Sequence, residues 1–107
     1  MKVKVFHANR MPDGYMYDAH FHGAPPAYPA ECKLVAEVEV PEESCLADAC
    51  EEAFRLTNHI DCPWWDNEGV TRHGPETRST SVGDVVVVGS VAFRVASFGF
   101  NPEGGVA

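Results

Sequence analysis

At 107 residues, with 45% hydrophobic and 22% charged side chains, the chain can bury one modest core but not two, and its composition excludes wholesale disorder. Sixteen acidic against eight basic residues give a net charge of −8, which argues against a protein that grips phosphate backbones directly. No apolar run approaches the roughly 20 residues of a membrane span, and Met1 to Phe6 lacks the features of a signal peptide, so a cytoplasmic protein without a membrane partner is expected.

In chain order, residues 2–7 read as a first strand. An irregular aromatic segment follows over 8–32, with Pro12-Asp13-Gly14 and Pro25-Pro26 as turn formers among Tyr15, Tyr17, Phe21 and Tyr28. A second strand is expected at 33–40. There Val38 and Val40 alternate with Glu37 and Glu39 as on a half-exposed strand, although Leu34, Ala36, Val38 and Val40 do not share one face cleanly with Val35. Pro41 breaks it. A helix is expected over 42–58, beginning between Pro41 and Ser44, a residue type that caps helices. Leu46, Ala49, Cys50, Ala53, Phe54 and Thr57 fall on one face, with Glu43, Asp48, Glu51, Glu52 and Arg55 largely outside it. The early carboxylates complement the positive helix N-terminus, and Asn58 suits a left-handed ending.

Residues 59–77 read as a long loop carrying Pro63-Trp64-Trp65-Asp66-Asn67 and His73-Gly74-Pro75, anchored by its tryptophans. Arg78-Ser79-Thr80-Ser81-Val82-Gly83-Asp84 then leads into Val85 to Val88, a wholly β-branched run suited to a buried strand. Gly89-Ser90 separates this run from a second, in which Val91, Phe93 and Val95 alternate with smaller or polar residues. The pair predicts a tight hairpin with a type I′ or II′ turn. Gly83-Asp84 is expected to turn the chain into the sheet, with the Asp84 carboxylate bonding local backbone N–H groups and the Ser79 and Ser81 hydroxyls serving the same turn. Together these elements predict one α+β domain over 1–107. Its parts are N-terminal strands and aromatic loop (1–41), helix (42–58), Trp-containing loop (59–77), hairpin region (78–100) and tail (101–107). The architecture expected is a small antiparallel sheet of four or five strands with a C-terminal hairpin and one helix packed on one face.

Three kinds of chemistry compete for the remaining side chains. Metal binding would draw on His20-x-His22, Cys32, Cys45, Cys50 and His59-x-x-Cys62, yet only His59 and Cys62 have knuckle-like spacing. Cys50 falls on the core face of the helix and reads as a small buried hydrophobe. Neither a metal nor another cofactor is expected. Catalysis by Cys62 with His59 as base lacks any marked orienting residue or oxyanion hole. No catalytic residue is therefore assigned, and a metal-dependent or Cys-based enzyme using His59 and Cys62 stands as the alternative. Binding is the stronger reading. Neighbouring residues of an extended segment point opposite ways, so one of Trp64 and Trp65 can plug the core while the other anchors a partner, bordered by Asp66, Arg72, His73 and Arg78. The carboxylates of Glu37, Glu39, Glu42, Glu43, Asp48, Glu51 and Glu52 form a solubilising face, or a surface that meets a basic partner or mimics DNA to occupy a nucleic-acid site.

The pattern Arg78-Ser79-x-Ser81-Val82-Gly83-Asp84, the hairpin with Phe93, and the closing Gly99-Phe100 resemble the YodL-like family. Upstream, Phe54-x-x-x-Asn58 at the end of a helix also fits that family, and the resemblance covers roughly residues 46–100. The family occurs in phages, conjugative elements and other mobile elements and has no established activity. The resemblance therefore implies a structural role for Arg78, Ser79, Ser81, Gly83, Asp84, Phe93, Gly99 and Phe100. It also implies a non-enzymatic accessory protein that acts on a protein partner, for instance by inhibiting a host defence system; a purely structural module is the other alternative.

Overall fold

The computed structural model describes residues 1–8, 28–58, 63–75, 78–96 and 99–102. Strand β1 (Lys2–Ala8) pairs with β2 (Cys32–Glu39), and helix α1 (Leu46–Leu56) follows. A 3₁₀ turn (Trp64–Asp66) then precedes β3 (Val70–Arg72), the hairpin β4 (Val85–Val88) and β5 (Val91–Val95), and β6 (Phe100–Pro102). The sheet has the order β3-β2-β1-β4-β5-β6, and every neighbouring pair is antiparallel. The expected α+β class stands, but the strands among the described residues number six rather than four or five. The additional strands are the three-residue edges β3 and β6, and β3 lies inside the segment expected to be one long loop. The expected aromatic stretch with Tyr15, Tyr17 and Phe21, the start of the 59–77 loop and the end of the tail lie outside the described residues.

Period-2 alternation sorts β1 between two cores. Val3 and Val5 turn to one face, where they meet Val88 and Val86 of β4 and Val38 and Ala36 of β2. α1 covers this face over β1 and β4, contributing Ala49, Cys50 and Ala53, with Trp64 beside them. On the opposite face Val85, Val87 and Ala92 pack with Phe6, Tyr28 and Cys32, and the Phe6 and Tyr28 rings meet edge to face at 5.1 Å. β4 is thus buried on both sides, which is why it reads as four consecutive valines. Its two-residue turn to β5 has Gly89 at φ 62°, the sign that both primed turns require at their first central position.

The awkward pattern of the second strand has a physical cause. Val5 pairs with Ala36 and Phe6 with Leu34, so Val35 is an extra residue in a β-bulge. The bulge lets Val35 and Ala36, adjacent in sequence, both be fully buried. The helix is shorter than the expected 42–58. It starts at Leu46 because residues 41–45 form a turn, with Ser44 N donating to Pro41 O (3.1 Å), and Cys45 rather than Ser44 occupies the N-cap without a side-chain cap bond. At this first helical position Leu46 remains 47% exposed, whereas Ala49, Cys50, Ala53 and Thr57 are buried as their spacing predicts. Among the described residues, no helix is long and apolar enough to cross a membrane.

Candidate functional site

The Arg78-Ser79-Thr80-Ser81-Val82-Gly83-Asp84 stretch folds back on itself. Asp84 N donates to Ser81 O (3.0 Å), and Gly83 holds φ 99°, a conformation that side-chain-bearing residues rarely adopt. The turn returns the fully buried Asp84 carboxylate to the Arg78 guanidinium in a bidentate pair, Nη1–Oδ2 2.7 Å and Nη2–Oδ1 2.8 Å. Oδ2 also accepts from Ser81 N (2.8 Å), and Oδ1 from Ala8 N (2.9 Å), 76 residues away. Nη2 donates to Ala8 O (3.3 Å), while Nη1 reaches Ser79 O and the Ser81 hydroxyl. The cluster is an ionic clip that fastens the end of β1 to the turn before β4. The expected local role of Asp84 is seen in its bond to Ser81 N; Arg78 and Ala8 are partners that local spacing did not identify.

Beside the clip runs a buried hydroxyl relay. His7 Nε2 lies 2.9 Å from Thr80 Oγ1, which donates to Thr57 Oγ1 (2.8 Å), which in turn donates to Ala53 O (2.8 Å). Because each hydroxyl hands its one proton onward, His7 must supply Nε2–H to Thr80. Aspartate, histidine and a hydroxyl in one cluster invite a nucleophile reading, but the geometry opposes it. The ring nitrogen on Thr80 is also the one facing Asp84 Oδ2, at 3.8 Å, so Asp84 does not orient the imidazole from its far side. Thr80 points its proton away from the imidazole and is 1% exposed. The relay ties β1 to the C-terminal end of α1.

The tryptophan pair divides as their adjacency suggests. Trp64 is fully buried and donates Nε1–H to Arg78 O (2.9 Å), while Trp65 is half-buried, edge-to-face on Trp64 at 5.3 Å. The Arg72 guanidinium sits 4.4 Å from the Trp65 ring centroid, a cation–π contact, and Asp66 is exposed next to it. Trp65 and Arg72 therefore share a ledge, and the exposed Asp66 follows Trp65 in the 3₁₀ turn. Arg78 takes no part in it through its guanidinium, which is committed to Asp84. His73 Nε2 lies 3.5 Å from Glu37 Oε2.

Sequence reasoning missed a cleft of about 700 Å³ between α1 and the C-terminal strands. Phe54, Val82, Val95 and Phe100 supply its apolar lining, with the Phe54 and Phe100 rings edge to face at 6.1 Å. Asp48, Glu51, Glu52 and Arg55 form the polar wall. Arg55 is held by Glu52 (Nη2–Oε2 2.6 Å, Nε–Oε1 3.2 Å), a contact that raises its already high pKa. Asp48 and Glu51 have no ion pair among the described residues. The helix's outward carboxylates were a sequence signal for one wall; nothing local announced the other.

The cysteines take separate places. Cys50 is buried in the core, and desolvation, with a smaller contribution from Glu51, pushes its thiol from 9.0 up to about 11. Cys45 is exposed at the helix start, and Cys32 is half-buried at the start of β2. No group of three or more His, Cys, Asp or Glu side chains suited to a metal occurs among the described residues. His20, His22, His59 and Cys62 lie outside them. Comparison with protein-family models, with curated proteins and with solved structures finds no match.

Proposed function

We propose that the protein is a non-enzymatic interaction protein that binds a protein partner on the surface around the α1 cleft. The observation that carries this reading is the contrast between two places. The cluster with catalytic-looking composition, His7, Thr80 and Asp84, is sealed and hydrogen-bonded. The open cleft offers apolar floor and charged wall, the make-up of a binding surface. The resemblance of Arg78-Ser79-x-Ser81-Val82-Gly83-Asp84 to the YodL-like family supports an accessory role in a phage or mobile genetic element. A component of a host defence system is the specific partner that such company suggests. The net charge of −8 favours a protein that meets proteins rather than nucleic acid, and the reading places it in the cytoplasm.

The test is recovery of the tagged protein from nuclease-treated host lysate, with quantification of what co-purifies. One dominant protein at near-equal amounts, retained after nuclease treatment, is the expected result. A clean monomer with no partner, together with turnover of any substrate class that depends on His59 or Cys62, would overturn the reading in favour of an enzyme.

A further inference from the structure

We infer that the cleft between α1 and the β5–β6 corner receives a protein segment that presents a lysine or arginine beside a bulky apolar side chain. This inference rests on the interaction reading and specifies the partner's chemistry. The cleft volume, about 700 Å³, is in the range of small-ligand clefts, and its open side suits the side chains of one short segment. Its floor demands apolar contact: Phe54 and Phe100 are only half-buried, and Val82 and Val95 lie beside them.

The wall demands a cation. Glu52 is already engaged by Arg55, so the local positive charge is neutralised within the wall. Asp48 and Glu51 are exposed, without an ion pair among the described residues, and three residues apart on α1, a spacing that puts neighbouring side chains within reach of one ammonium or guanidinium. An anionic ligand would meet two uncompensated carboxylates. A purely apolar one would draw nothing from them, since exposed carboxylates stay solvated. A partner that is both cationic and apolar uses floor and wall together.

The experiment uses the ¹⁵N-labelled full chain titrated with a synthetic peptide of alternating leucine and arginine. Control peptides replace arginine by glutamate or leucine by serine. The Leu-Arg peptide should shift the amide signals of Phe54, Val82, Ala96 and Phe100, both controls should bind more weakly, and added salt should reduce affinity. Asp48→Asn and Glu51→Gln should each weaken binding roughly two- to fivefold; both positions are exposed, and the free variants' spectra check that the fold is intact. Shifts centred elsewhere, or affinity unchanged in both variants, would overturn the inference. Self-association that competes with the peptide and disappears in the same variants would overturn it in favour of a second copy of the chain. Capture of a dominant cellular partner with equal yield by wild type and the double variant would sink the cleft assignment while sparing the interaction reading.

Discussion

Replacing Asp84 by alanine should cost about 3–5 kcal/mol of folding stability. The carboxylate is fully buried and receives hydrogen bonds from both terminal Arg78 nitrogens and from the backbone N–H groups of Ala8 and Ser81. Each N–H stranded without an acceptor costs roughly 1–3 kcal/mol. The guanidinium contributes less than a sealed charge would, because the Arg78 side chain is 30% exposed and water can re-enter beside it. Two stranded N–H groups and a weakened ion pair together therefore support the stated range. Urea denaturation at neutral pH measures the loss. At about 4 °C per kcal/mol for a chain of this size, Tm should fall by roughly 12–20 °C. Arg78→Met should cost at least as much, because it leaves the fully buried Asp84 carboxylate without its counter-charge. The double variant should fall short of the sum of the single losses by more than about 0.5 kcal/mol, the margin within which independent sites add. A loss below about 1 kcal/mol for Asp84→Ala, or additivity in the cycle, would refute the clip as a stabilising unit.

Trp64→Phe removes the donor to Arg78 O and leaves part of a fully buried site unfilled, so it should cost at least about 2 kcal/mol. Trp65→Ala should cost less, through its half-buried ring and a cation–π contact worth about 0.5–1 kcal/mol at such sites; equal losses in denaturation would contradict the division of roles. Long-range ¹H–¹⁵N correlation spectra should show His7 as the Nε2–H tautomer, and Thr80→Val should cost about 1–3 kcal/mol by stranding that donor; an Nδ1–H tautomer would break the relay as drawn. Among the described cysteines, a thiol reagent at pH 8 should modify exposed Cys45 first and Cys50 only on unfolding. Because the Cys50 thiol pKa rises from 9.0 to about 11 in the fold, its contribution to stability is full below pH 9 and is lost as pH climbs towards 11; Cys50→Ala should flatten that alkaline decline in a pH series of denaturation curves.

The strands and helix were legible where periodicity was long enough to read. β1, β2, the hairpin and the core face of α1 follow from alternation and helical spacing. The misfit of Val35 against its neighbours was a genuine sequence trace of the bulge, although alternation alone does not say how a strand resolves it. β3 and β6 were not legible, because three residues do not establish a period and each forms only by pairing with a distant strand, Val70 with Val38 and Phe100 with Val95. The same limit governs the sites. Asp84 announces a turn through its neighbour Gly83, but Ala8 and His7 reach the cluster through the β1–β4 pairing, which no local pattern encodes. The cleft arises only when α1, the 81–84 turn and β6 meet.

That turn belongs to both the clip and the cleft. On one side Ser81 and Asp84 belong to the clip; on the other, Val82, between them in sequence, lines the cleft. Gly83 at φ 99° permits the reversal, and the turn is locked to β5 by Gly83 N on Val95 O (2.9 Å), Val95 N on Asp84 O (2.8 Å) and Arg94 Nη1 on Gly83 O (3.0 Å). Val95, held by two of those bonds, lines the cleft as well. A motif of arginine, serines and aspartate that looks chemical therefore directs its polar groups at one another and at the backbone of the turn and of β1, and what it delivers to the cleft is the position of two valines. Loosening the clip should be felt at Val82 and Val95 before it reaches the acidic wall, because α1 joins the same stretch only at its C-terminal end, through Thr57 and Thr80, and Asp48 and Glu51 stand at least six residues before Thr57.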